Sequence, residues 1–212
     1  MAASSCSHPP TKRALDLVGA SLLLLGLAPL LGLVALCIWL DDGRPLLFTQ
    51  ARAGCRGEPF RIFKFRTLTH EPDDPTHPSA YTIRTGDVLR RWALDELPQL
   101  WNVLRGEMSL VGPRPTLPEQ VKQYGPHERT RLRVPPGITG WAQIHGRNAL
   151  SWPERIDLDV WYVQNRSLWL DLRILLYTPL IVLSGTGVEG EEDGRNPAFS
   201  PPDDSSPSAS SA

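Results

Sequence analysis

Eleven small, polar and proline-containing residues open the chain, and residues 1–11 therefore read as a disordered N-terminus. Lys12 and Arg13 then precede an uncharged run of 24 residues, Leu17 to Leu40. As a helix such a run rises about 36 Å, enough for a hydrocarbon core about 30 Å thick, so residues 12–40 read as a membrane helix. Pro29 follows Ala28 in the middle of the run, where it removes a backbone donor and predicts a bend or break at Ala28-Pro29. Basic residues stand on both flanks: Lys12 and Arg13 before the run, and Arg44, Arg52, Arg56, Arg61 and Lys64 after it. Both flanks thus favour the cytoplasmic side, which a re-entrant hairpin satisfies and a simple span does not.

Beyond the apolar run the pattern shortens. Leu46 to Gln50 reads as a strand, Gly54 to Gly57 as a turn, and Phe60 to Arg66 as an alternating strand with one aromatic and aliphatic face and one cationic face. Glu71 to Ser79, with three prolines and three acids, predicts a loop. Residues 85–105 carry Val88, Leu89, Trp92, Leu97, Leu100, Trp101 and Leu104 on helical spacing, with Pro98 interrupting. Residues 153–166 and 168–184 predict two further helices. The second is too apolar for a surface helix yet contains Asp171, Arg173 and Pro179, so it reads as lying along a membrane interface, with burial in the core as the alternative. From Glu189 onward the residues are Gly, Glu, Asp, Pro, Ser and Ala almost throughout, and 189–212 reads as a disordered acidic tail. Residues 41–188 remain as one folded domain of α+β class, with short strands, several helices at the interface and no large sheet.

Charge and cysteine usage narrow the function classes. The 212 residues carry 22 bases and 23 acids, a net charge of −1, which disfavours a bulk nucleic-acid binder. The tail holds six of the acids and one base, so the first 188 residues, with 21 bases and 17 acids, are mildly basic. Cys6, Cys37 and Cys55, odd in number and without a CxxC, argue against a disulfide framework or a cysteine zinc site.

Three segments carry candidate chemistry. Asp95 and Glu96 are adjacent, follow Arg90-Arg91 and sit among leucines and tryptophans. They suit either a solvated helix face before Pro98, or a site in which one ionised carboxylate attacks phosphorus and the other holds Mg2+. In Gly112-Pro113-Arg114-Pro115 two prolines fix the backbone around one arginine, which suits a phosphate clamp as well as a plain turn. Residues 134–148 combine glycine turns with Trp141, Gln143, His145, Arg147 and Asn148, and could stack a base and bind phosphate or simply form a loop around a core tryptophan. His145 has no second ligand at metal spacing and reads as a loop histidine. Lys64 and Arg66, on the polar face of their strand, are either phosphate ligands or solvated.

The ordered set of motifs is more specific than any member. It comprises Lys12-Arg13-x-x-Asp16 before a proline-broken apolar helix, Lys64-Phe65-Arg66-Thr67-Leu68, Leu94-Asp95-Glu96-Leu97-Pro98-Gln99-Leu100, and Ser109-Leu110-Val111-Gly112-Pro113-Arg114-Pro115. Pro136-Gly137-Ile138-Thr139-Gly140-Trp141-Ala142-Gln143 and Asp157-Leu158-Asp159-Val160-Trp161-Tyr162 complete it. From about Lys12 to Val188 the chain resembles the bacterial sugar transferase family of small monotopic polyprenyl-phosphate phosphoglycosyl transferases. Two positions depart from the family pattern: Ala28 stands where serine usually precedes the helix-breaking proline, and Leu68 where methionine is common.

The resemblance implies an enzyme on the cytoplasmic face of a bacterial inner membrane, embedded in membrane lipid. It would move a sugar phosphate from a UDP-sugar to undecaprenyl phosphate, release UMP, and so begin synthesis of a polysaccharide or other glycoconjugate. It further implies that Asp95 is a covalent nucleophile, that Glu96 binds Mg2+, that Arg114 contacts phosphate, and that Lys64 and Arg147 add positive charge. Self-association and downstream glycosyltransferases are open as partners. The alternative is a catalytically inactive or single-span membrane assembly protein of the same family, whose termini would face opposite sides if it spans.

Overall fold

The computed structural model describes residues 9–69 and 82–185. The expectations for the first eight residues, the loop 71–79 and the acidic tail 189–212 lie outside the described residues. Among those described, the chain is mixed helix and strand, with one helix long and apolar enough to cross a membrane.

That helix, α1, runs over Pro10–Asp42 and takes Pro10 into its first turn, where a missing amide donor is harmless. Pro29 lies inside it, so the proline does not end the helix. Its burial is confined to the ends: Lys12, Asp16 and Ala20 near the start, Val34 and Ile38 near the finish, and no buried side chain between them. The middle presents leucines outward, with Leu22 and Leu25 65% and 75% exposed. Ala20 packs into a core cluster with Ile62, Leu100, Val103, Met108 and Leu110, whereas Val34 and Ile38 pack with Phe65, Ile83 and Leu89. Both ends of one apolar helix therefore dock on the same domain.

Polar contacts fix each end. Arg13 donates to the carbonyls of Val103 and Leu104 at 2.7 and 2.8 Å, satisfying groups that the end of a short helix, α3 (Leu100–Arg105), leaves open. At the other end Asp42 pairs with Arg66, and Asp41 accepts from the Thr85 amide and hydroxyl at 2.8 and 3.1 Å.

The strands are short. β1 (Leu47–Ala53) pairs antiparallel with β2 (Pro59–Phe65), with Phe48 opposite Lys64 and Arg52 opposite Phe60, through a turn at Cys55–Gly57. β2 does not divide into an apolar and a cationic face. Ile62 and Phe65, three apart and so on opposite faces, are both buried, and each joins a different core cluster. β3 (Ser109–Val111) pairs parallel with β4 (Gly137–Thr139), and the two pairs are separate sheets, in line with the α+β reading. Cys55 is disulfide-bonded and Cys37 is free; an odd cysteine count excludes a framework of bridges but not a single one.

The helical segments after β2 are α2 (Gly86–Arg91), α3 (Leu100–Arg105), α4 (Pro118–Lys122), α5 (Trp141–Ile144), α6 (Trp152–Asn165) and α7 (Leu168–Ser184). α6 starts on a capping box in which the Glu154 carboxylate accepts from the Ser151 amide at 2.8 Å. α7 starts where the Ser167 hydroxyl accepts from the Leu170 amide at 3.2 Å. α7 buries only Leu170, Asp171 and Ile174 and exposes Trp169, Leu176, Leu180 and Leu183, so it is not a core helix.

Where α1, α7 and β3 meet, charge is buried rather than apolar surface. Lys12 Nζ lies 3.0 Å from both Asp16 and Asp171. Asp16 Oδ1 also accepts from the Ser109 hydroxyl and the Leu110 amide at 3.0 Å each, and the Tyr162 hydroxyl donates to Asp171 at 2.7 Å. Breaking a buried, hydrogen-bonded pair strands its partner in a low-dielectric interior. Asp16→Ala is therefore expected to lower stability by about 3–5 kcal/mol. Denaturation of the detergent-solubilised protein followed by tryptophan fluorescence checks this, and an unchanged midpoint would contradict it.

Candidate active site

The carboxylate pair is not on a helix face. α2 ends at Arg91, and Ala93 takes a left-handed conformation at φ 52°, a departure that costs an L-residue about 1–2 kcal/mol. The helix expected over residues 85–105 is thus broken five residues earlier than Pro98, which instead sits inside a tight 3-10 turn, Leu94–Gln99. Asp95 and Glu96 fall in the first turn of that segment and both line a cavity of about 720 Å3.

Glu96 is clamped. Arg114 approaches it with two donors, Nη2 to Oε1 at 2.5 Å and Nη1 to Oε2 at 3.1 Å, and Lys64 Nζ from β2 reaches Oε1 at 2.9 Å. Burial works to raise the Glu96 carboxyl, but the Arg114 and Lys64 charges and their hydrogen bonds outweigh it and hold the group far below the usual carboxylate range. Asp95 goes the other way. Burial is the largest cause, the neighbouring Glu96 charge adds to it, and with Lys64 and Arg114 opposing, the carboxyl is pushed up to about 6. Adjacent carboxylates have thereby been separated into one that is always ionised and one that titrates near neutrality.

Arg114 owes its position to glycine contacts. An added Cβ on Gly137 would sit 2.1 Å from the Gly112 amide nitrogen, and one on Gly140 would sit 2.2 Å from the Gly112 carbonyl. The two motif segments therefore touch backbone to backbone, with Gly112 donating to the Thr139 carbonyl at 2.9 Å and Gly137 to the Pro113 carbonyl at 2.9 Å. Arg131 adds a hydrogen bond to the Arg114 carbonyl at 2.9 Å.

Lys64, Glu96 and Arg114 thus meet directly, with Asp95 beside them on the cavity wall. Arg147, at φ 52° after Gly146, lines the same cavity without touching Glu96; burial first, and the Arg114 charge besides, lower its pKa. Ala28 and Pro29 lie in the exposed middle of α1, away from this chemistry. Arg66 lines the cavity too, but its guanidinium is turned to Asp42. Arg52 and Arg90 are wall residues that the sequence reading passed over as ligands. Residues from both faces of β1, Leu47 and Thr49 as well as Phe48, Gln50 and Arg52, line the cavity, so strand periodicity could not have singled out Arg52. Trp141 stacks on Trp161 with ring centroids 4.7 Å apart and packs against the core, so it is the core tryptophan of its loop, and His145 is held by the Trp141 carbonyl at 2.8 Å.

No group of three or more His, Cys, Asp or Glu side chains converges among the described residues. A dedicated protein cage for a metal is therefore not built here. Asp95 and Glu96 nonetheless supply hard oxygen donors of the kind that hold Mg2+ together with substrate phosphates, although both Glu96 oxygens are engaged by Arg114 and Lys64 and would have to be shared with the ion.

Residues 7–185 match the family model for bacterial sugar transferases, and the chain belongs to that family. It is an enzyme, a phosphoglycosyl transferase. The uncharacterised sugar transferase EpsL of Bacillus subtilis (strain 168) is 45% identical over 181 residues, 84% of this chain and 90% of that one. The undecaprenyl-phosphate glucose phosphotransferase of Komagataeibacter xylinus is 47% identical over 79% of this chain but only 35% of its own length. The UDP-glucose:undecaprenyl-phosphate glucose-1-phosphate transferase of Caulobacter vibrioides is 45% identical over 79% of this chain and 67% of its own.

The raised Asp95 value has a consequence for stability. It stands above the ordinary 3.8, so folding favours the protonated acid, and that stabilisation is complete below pH 3.8 and lost as the pH rises through 6. At neutral pH the ionised group costs stability. Asp95→Asn is expected to stabilise the unliganded protein by about 1–3 kcal/mol at neutral pH and much less in acid. Thermal denaturation at the two pH values checks this, and a destabilised variant would contradict the burial of Asp95.

Proposed function

We propose that the protein transfers a sugar-1-phosphate from a UDP-sugar to undecaprenyl phosphate through a covalent intermediate on Asp95. A carboxylate oxygen of Asp95 attacks the β-phosphorus, the bond from that phosphorus to the bridging oxygen breaks, and UMP leaves with the electron pair. The phosphate oxygen of undecaprenyl phosphate then attacks the same phosphorus. The acyl-phosphate bond breaks, and the Asp95 carboxylate is restored. Two half-reactions at one carboxylate suit a soluble donor and a lipid acceptor that need never be bound together.

The observation that carries this reading is the pairing of Asp95 with a clamped Glu96 in one cation-lined cavity. Glu96 compensates the charges of Arg114 and Lys64. When a diphosphate enters, both cations have a second set of oxygens to take up, and Arg114 keeps its two-donor geometry. Mg2+, held by Glu96 with the substrate phosphates, would neutralise charge on the diphosphate. Arg147 stands ready on the same wall for the departing phosphate. The mouth of the cavity supports a lipid acceptor, since Leu47, Phe48 and Leu68 line it and are each more than 40% exposed. The names of the relatives from Komagataeibacter and Caulobacter specify undecaprenyl phosphate and glucose, and UDP-glucose is the donor to try first.

The docking of both ends of α1 on one domain supports a re-entrant, monotopic placement on the cytoplasmic face of the inner membrane. It disfavours a single-span assembly protein, whose domain would hold only one end. The cavity with Asp95 and Glu96 in place likewise disfavours an inactive relative.

UMP release by detergent-solubilised protein supplied with UDP-glucose, undecaprenyl phosphate and Mg2+ tests the reading. Asp95→Asn is expected to reduce release by more than about 10^3-fold. In the parent, kcat/KM is expected to rise as the pH climbs through about 6, because the nucleophile must be ionised. Substantial release by the variant would overturn the role of Asp95. Excess EDTA is expected to abolish release and added Mg2+ to restore it, and full activity in chelator would remove the metal from the scheme.

A further inference from the structure

Behind Arg114 and Arg147 lies a second recess of about 60 Å3, between α5, α6 and the Arg114 segment. It shares Arg114, Arg147 and Asn148 with the larger cavity, so the two open onto the same phosphate-binding side chains. Three of the residues that line it hold polar atoms that are closed to solvent and have no hydrogen-bond partner within the protein: both Nε2 and Oε1 of Gln143, Oδ1 of Asp159, and Nη1 of Arg147. Asp159 is only 2% exposed, and its other oxygen is taken by Arg131 at 2.5 Å. Gly140 leaves room for the amide, since a Cβ there would come within 2.7 Å of Gln143 Oε1.

Buried polar groups are almost always paired, and four unpaired atoms around one recess mark a place where a partner belongs. The atoms form a definite pattern. Asp159 offers an acceptor, Arg147 a donor, and Gln143 one of each. A complementary ligand is a neutral ring edge that donates to Asp159 and accepts from Gln143 and Arg147. Both ends of a nucleotide-sugar have this chemistry: the imide edge of uracil, and a pair of neighbouring sugar hydroxyls.

We propose that the Gln143–Asp159 recess binds such a ring edge of the donor and sets which nucleotide-sugar is accepted. This rests on the transferase reading, because it takes the neighbouring cavity as the diphosphate site. It uses two motif residues, Gln143 and Asp159, that the phosphoryl chemistry leaves without a role. Arg131 holds Asp159 in place and spans to the Arg114 carbonyl, so recess and phosphate clamp are positioned by one buried guanidinium.

The test separates a binding role from a structural one. Gln143→Met keeps volume and removes the amide. If the amide waits for a ligand, its loss leaves the unliganded protein as stable as its parent or more so, since an unsatisfied buried group is removed. Calorimetric titration is made in the Asp95→Asn background, where no transfer occurs, with UDP-glucose and UMP as probes. UDP-glucose is expected to bind on the order of 10- to 100-fold more weakly to the Gln143→Met protein. An equal loss for UMP assigns the recess to uracil, and an unchanged UMP affinity assigns it to the sugar. Equal binding of both probes to the two proteins overturns the inference and leaves the transferase reading standing. No binding of either UDP-glucose or UMP to the Asp95→Asn protein overturns both. A Gln143→Met variant that melts earlier than its parent shows an amide already satisfied within the fold, and that too overturns the inference.

Discussion

One buried lysine holds the architecture together. Lys12 stands between Asp16 on its own helix and Asp171 on α7, with all three side chains almost fully withdrawn from solvent. Two carboxylates in an interior repel, and one ammonium alone would be strongly disfavoured there; together, with Ser109, the Leu110 amide and Tyr162 filling remaining hydrogen-bond capacity, they are tolerated. Such a cluster is directional where apolar packing is not. It fixes the start of α1 and the start of α7 relative to β3, and β3 runs straight into the Gly112–Pro115 segment that delivers Arg114.

From there the order passes through backbone contact to charge. Gly112, Gly137 and Gly140 let two strand ends approach more closely than any side chain allows, and the proline-flanked arginine is left with little freedom. Arg114 and Lys64 then decide the behaviour of the two acids. Their charges favour the ionised form of both; at Glu96 these charges and their hydrogen bonds outweigh burial, whereas at Asp95 burial and the charge of its neighbour prevail. A difference of one residue in sequence becomes a difference between a fixed charge and a titrating one.

Much of this was legible in the chain. Uncharged length announced α1, and the helices expected over 153–166 and 168–184 are α6 and α7 to within a residue at each end. The residues that meet at the cavity, Lys64, Asp95, Glu96 and Arg114, were all named from motif order. What the sequence hid was tertiary. Nothing in an alanine marks the left-handed conformation that Ala93 takes, so helical spacing continues through it. The phase change between Ile62 and Phe65 reflects two separate cores on either side of β2, which no single-strand periodicity encodes. The partnerless atoms of Gln143 and Asp159 became visible only once α5 and α6 were set against each other.

The way α1 is built into the domain bears on what kind of anchor it is. Ala20, Val34 and Ile38 are members of the two main cores, and Arg13 and Asp41 close hydrogen bonds that belong to α3 and α2. A tether can be cut and leave its cargo intact, but trimming this helix would remove one wall from each core. The helix is therefore a shared wall of both cores and not a leash, and its exposed middle cannot be drawn away from the domain without opening them.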